Sequence, residues 1–98
     1  MLYVMTMRWQ PGLTREQRDA ILVRRAQWQY PSGINVRGEY WTASEDAAIV
    51  VIFEADDFAP ILDIGLTWGD GFQVTTHPAV TAEEGLRIGP SVLEQRRA

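Results

Sequence analysis

Residues 34–53 read Ile34-Asn-Val-Arg-Gly-Glu-Tyr-Trp-Thr-Ala43, Ser44-Glu45-Asp46, Ala47-Ala-Ile-Val-Val-Ile-Phe53. The first ten residues alternate with the period of a β-strand. Ile34, Val36, Gly38 and Tyr40 should point one way, and Asn35, Arg37, Glu39 and Trp41 the other. Ser44 to Asp46 is a short polar turn. Ala47 to Phe53 is apolar on both faces, as expected of a central strand covered on both sides. Two runs this close in sequence should form a hairpin.

Outward from the hairpin the pattern extends in both directions. Leu2 to Trp9 is rich in strand formers and stops at Pro11-Gly12. Thr14-Arg-Glu-Gln17 has capping-box spacing, so a helix is expected from Arg15 to Gln29, stopped by Pro31 and Gly33. Its polar stripe holds Arg15, Arg18, Arg25 and Gln29, interrupted by Leu22. The opposite side is mixed, with Leu13, Ala20, Val23 and Trp28. After the hairpin, Asp56 or Asp57 should cap a second helix, with Pro60 in its first turn. Phe58, Ile61, Leu62, Gly65 and Trp68 share one face, and Gly65 is expected to let the helix approach the sheet. Gly69-Asp-Gly71 ends this helix. Phe72 to Thr76 is the last strand, with Pro78 at its end or on an edge. Thr81-Ala-Glu-Glu84 repeats the capping-box spacing and should start a short helix broken by Gly89-Pro90. Ser91 to Ala98 reads as a polar tail.

The order β-α-β-β-α-β predicts an α+β, ferredoxin-like domain over residues 1–88, followed by a tail over 89–98. The sheet should be four-stranded and antiparallel, with both helices on one face and the first and third strands central. Parity then assigns the uncovered face. It should carry Val4, Thr6 and Arg8; Arg37, Glu39 and Trp41; and Gln73, Thr75 and His77, around an apolar third strand. That much apolar surface is not expected to stay in water. A second copy is the expected partner, and two such sheets would enclose a pocket for a small, partly apolar molecule.

Composition limits the alternatives. The 98 residues are 46% hydrophobic and 22% charged, values for a globular chain. A net charge of -4 opposes nucleic acid and anionic membranes as partners. All nine cations are arginine. The chain has no cysteine, which excludes disulfides, thiolate metal sites and a cysteine nucleophile. No apolar run approaches the ~20 residues of a membrane span, and Met1 to Trp9 is too short for a signal sequence, so a cytoplasmic location is expected.

These segments are similar to a small uncharacterised family of the dimeric α+β barrel superfamily. The likeness lies in Met1-Leu-Tyr-Val, Pro31-Ser-Gly-Ile-Asn-Val running to Tyr40-Trp41, and Phe53-Glu-Ala-Asp-Asp57. It continues in Trp68 and Phe72-Gln-Val-Thr-Thr-His-Pro-Ala-Val80. The resemblance implies a homodimer whose sheets face each other. The superfamily includes cofactor-free monooxygenases, muconolactone-type isomerases and haem-degrading enzymes. The resemblance transfers no catalytic residue.

His77 is the only histidine, the residue type best suited to acid–base work near neutral pH. It could serve as general base or acid, ligate haem, or simply end a strand. One histidine cannot build a multi-histidine metal site, and no cofactor is called for. Arg37, with Arg8 nearby, could hold a carboxylate or enolate, or Arg37 could form an ordinary strand-face ion pair with Glu39. Trp41 is the best pocket aromatic, with Thr6 and Thr75 as polar neighbours. The arginines at 15, 18 and 25 read as a solvated helix face. Three functions follow. One is a dimeric ligand-binding module. Another is a cofactor-independent isomerase or monooxygenase, with His77 as base and Arg37 or Arg8 holding the oxyanion. The last is a structural module without ligand.

Overall fold

The computed structural model describes residues 1–97. The elements are β1 (Leu2–Trp9), α1 (Arg15–Gln27), β2 (Asn35–Trp41), β3 (Ile49–Glu54), α2 (Ala59–Trp68), β4 (Phe72–Ala79) and α3 (Ala82–Arg97). The strands form one antiparallel sheet in the order β2-β3-β1-β4. β1 and β3 are central, as the crossover rule requires. The topology is ferredoxin-like with one extra helix. The core lies between the sheet and the first two helices. It is built from Met5, Met7, Ile49, Val51, Phe53, Ile61, Ile64, Trp68 and Phe72, all fully or nearly fully buried.

The hairpin carries the decisive irregularity. Val36 pairs with Phe53, but Gly38 pairs with the very next residue, Ile52. Arg37 is therefore an extra residue in β2, a β-bulge. The bulge reverses parity for the rest of the strand. Glu39 opposite Val51 and Trp41 opposite Ile49 now lie on the helix-covered face. Tyr40, opposite Val50, takes the open face instead. This corrects the alternation expected for β2. Gly38 follows the extra residue, and a Cβ there would stand 2.7 Å from the Tyr40 hydroxyl, whose ring lies over the glycine.

The helices differ from expectation in instructive ways. The capping box at Thr14 forms, with Gln17 N–H donating to Thr14 Oγ1 at 3.1 Å and Thr14 N–H to Gln17 Oε1 at 2.8 Å. The inward stripe of α1 is Arg18, Ile21, Leu22 and Arg25, continued by the C-cap Trp28, which is the one residue of the mixed side that packs on the core. Arg25 is buried, whereas Val23 is 60% exposed. Two of the arginines read as solvated thus face the core. Phe58, not an aspartate, is the N-cap of α2, and no side chain caps it. A Cβ at Gly65 would meet nothing within 4 Å, so that glycine is not a point of close approach to the sheet. The close approach is Gly71, where a Cβ would come within 2.7 Å of Ile21. β4 continues through Pro78, which is tolerated because β4 is an edge strand.

Gly89-Pro90 does not break the last helix. α3 runs on to Arg97, so residues 91–97 are helical rather than a tail; Ala98 lies outside the described residues. No residue of α3 is buried.

Candidate functional site

The open sheet face is built by strict pairing across four strands. One row runs Gly38–Ile52–Val4–His77 and the next Tyr40–Val50–Thr6–Thr75. Val4, Thr6, Val50 and Ile52 are half-buried, while Tyr40, Thr75 and His77 are exposed. The centre of the face is thus aliphatic and its rim polar or aromatic. Among the described residues no element covers it: both α1 and α2 lie on the other side of the sheet. Thr6, Thr75 and His77 come together here as expected. Glu39 and Trp41 do not.

The arginines stand apart from His77. Arg37 belongs to the opposite edge of the sheet, three strand spacings or about 14 Å away. Its guanidinium is engaged by Glu54, with Nη2 donating at 2.6 Å and Nε at 3.1 Å. The carboxylate that pairs with Arg37 is therefore Glu54, not Glu39. Arg8 lies four residues along β1 from Val4, the partner of His77, or about 13 Å. It pairs with Asp46 at 3.3 Å. A histidine base and an arginine holding an oxyanion are not assembled within one protomer.

Arg8 belongs instead to a cleft of about 280 Å³ at the rim of the sheet, with Trp9, Arg18, Glu45 and Gln73 among its walls. Arg18 lies over the Trp9 ring at 5.1 Å and donates to Glu45 at 2.9 Å. Each arginine of this cleft pairs through one nitrogen with a carboxylate of the turn between β2 and β3, Arg8 with Asp46 and Arg18 with Glu45.

The side chains displaced by the bulge form a different constellation. Arg25 donates through Nη2 to Glu39 Oε1 at 2.9 Å and to the Tyr30 hydroxyl at 2.7 Å. Trp41 Nε1 donates to Glu39 Oε2 at 2.7 Å, and the Tyr30 hydroxyl donates to Glu39 Oε1. Arg25 is enclosed by aromatic rings, 4.7 Å from Trp28, 4.9 Å from Trp68 and 5.2 Å from Tyr30. Burial pushes the Glu39 carboxyl up, but hydrogen bonds from Arg25, Trp41 and Tyr30 outweigh it, leaving it below its ordinary value. Burial, and then donation to Glu39, raise the Tyr30 hydroxyl above its ordinary value. A carboxylate with both oxygens taken by donors has little left for a ligand. This cluster ties α1 and the loop after it to the hairpin. Sequence reading missed it because Arg25 sat on a nominally polar stripe. The available signal was Gly38 inside a strand, which often marks a bulge.

Among the described residues, no group of three or more His, Asp or Glu side chains could hold a metal ion. No helix among the described residues is long and apolar enough to cross a membrane.

The model of a family described as a domain of unknown function, DUF3303, matches residues 1–93. No curated protein and no solved structure matches the chain.

Proposed function

We propose, for a chain that belongs to the DUF3303 family of domains of unknown function, that it works as a homodimer enclosing a small, partly apolar molecule between two open sheet faces. The observation that carries this is the aliphatic centre formed by Val4, Val50 and Ile52 on a face that no helix of the protomer covers. Burying such a centre stabilises association in proportion to the apolar area removed from water. Thr6, Thr75, His77 and Tyr40 would then supply the few polar groups that orient a ligand in a mainly apolar pocket.

His77 on that face is what favours the enzymatic reading, a cofactor-independent isomerase or monooxygenase with the imidazole as base. Within one protomer it has no arginine partner for a developing oxyanion, so ligand binding is the better-supported function.

Native mass spectrometry of the purified protein tests both parts together. The expected result is a dimer that carries a small-molecule mass, released on denaturation. The Thr6→Arg variant, folded by circular dichroism, should lose both the dimer and the bound mass. A wild-type monomer with no adduct would contradict the proposal.

A further inference from the structure

The cleft at the rim of the sheet holds two cations from different elements, Arg8 of β1 and Arg18 of α1. They are not equivalent. Arg18 is fixed: its guanidinium lies 5.1 Å from the centre of the Trp9 ring, and that ring is stacked on Phe72 at 4.5 Å. The Arg18 side chain is 27% exposed, and its Nε is shut off from water with no hydrogen-bond partner among the described residues. Buried donors in that state are uncommon. Arg8 is more open, 61% exposed, and meets Asp46 Oδ1 through Nε at 3.3 Å. Gln73, its partner across the β1/β4 ladder, is an exposed residue of the same cleft.

The carboxylates that face these arginines are weakly held. Glu45 is 74% exposed and Asp46 79%. Ion pairs so open to water contribute little. The turn that carries them is held without their side chains. Trp9 N–H donates to the Glu45 carbonyl at 3.3 Å, Ser44 N–H to Thr42 Oγ1 at 3.0 Å, and Asp46 N–H to Ser44 Oγ at 3.2 Å. Thr42 Oγ1 in turn donates to the Ala47 carbonyl at 2.6 Å. Both carboxylates can therefore swing into water while the backbone stays in place.

We propose that this cleft binds a short dicarboxylate, and that Glu45 and Asp46 are its built-in occupants. Two arginines and two carboxylates balance, so an incoming ligand has to replace both negative charges. A dianion with its carboxylates a few bonds apart does so in one molecule. It also gains a geometry the turn does not reach. A free carboxylate can meet the edge of a guanidinium with both oxygens, whereas Arg8 and Arg18 each face their present partner through one nitrogen. The cleft volume of about 280 Å³ is near the lower limit for ligand pockets, which suits a chain of about four carbons. The site lies within one copy and does not depend on the sheet-face pairing.

Succinate is the probe, titrated into isotope-labelled protein at constant ionic strength and followed by NMR. The Nε–H signals of Arg8 and Arg18 and the side-chain amide of Gln73 report the site. The expected result is a saturable shift of these signals, and Arg8→Gln should abolish it at Arg18. The Glu45→Ala/Asp46→Ala variant should bind succinate about tenfold more tightly, because the cleft is then always vacant. Asp46→Ala alone should act in the same direction, which keeps the test open where the double variant does not fold. No saturable shift in the wild type would overturn the proposal. So would full binding by Arg8→Gln. Equal or weaker binding by the alanine variants would make Glu45 and Asp46 structural partners rather than competitors, and would also overturn it. Acetate that binds as tightly as succinate would overturn the dicarboxylate class.

Discussion

Glu39 concentrates the chemistry of this fold in one carboxylate. Its two oxygens accept from Arg25, Tyr30 and Trp41, residues of α1, the loop after it and β2. Removing the carboxylate leaves the buried Arg25 guanidinium without its counter-charge, a change that typically costs about 3–5 kcal/mol. We therefore expect Glu39→Ala to lower the folding free energy by about 3 kcal/mol, read as a shift of the urea midpoint. The pH dependence has a definite sign. The folded carboxyl binds its proton less readily than the ordinary value of 4.5. An unfolded chain thus binds more protons near that pH, and stability falls with acid. The contribution is complete above pH 4.5 and is lost as pH drops through the lower folded value. Urea midpoints measured from pH 6 downward should fall less steeply for Glu39→Gln than for the wild type; parallel slopes would remove Glu39 from the account.

At the scale of elements, the hairpin shows both the reach and the limit of sequence reading. The strand order, the strand boundaries to within a few residues and the capping box at Thr14 were legible, because they follow from local periodicity and local hydrogen bonding. Thr14→Ala should cost about 1 kcal/mol, the usual effect of losing an N-cap oxygen. The faces of β2 beyond Arg37 were not legible, since parity counts residues and a bulge adds one without changing composition. The orientation of α1 failed for a related reason. Its inward stripe contains Arg18 and Arg25, whose charges are satisfied by Glu45 and Glu39, partners far away in sequence. Deleting Arg37 provides the test. Removing the extra residue leaves Val36 opposite Phe53 and Glu39 opposite Val51, so Glu39 keeps its place beside Arg25 and the deletion variant should be about as stable as Arg37→Ala. A deletion variant several kcal/mol less stable than Arg37→Ala would show that Arg37 is not the extra residue. α3 was underestimated because Gly89-Pro90 reads as a stop. Proline removes one helical hydrogen bond, and its ring crowds the carbonyl of Leu86, yet the helix continues. Pro90→Ala should therefore slow amide exchange in α3.

The whole molecule has two unpaired apolar surfaces on opposite parts of the body. One is the sheet face centred on Val4, Val50 and Ile52; the other is the exposed α2 stripe of Phe58, Leu62 and Leu66. A chain of this size buries a modest share of its surface, so both surfaces favour association. The candidate site was legible in part: Thr6, Thr75 and His77 share the open face, while Glu39 and Trp41 belong to the core side and the arginines lie at the periphery. The account depends most on the open face being covered by a second copy. Sedimentation equilibrium at micromolar concentration, on the wild type and on a folded Ile52→Asp variant, tests that directly. The account predicts twice the 11.1 kDa chain mass for the wild type and a dimer at least a hundredfold weaker for the variant, since a buried charge without a partner costs several kcal/mol. Equal association of the two proteins would contradict it.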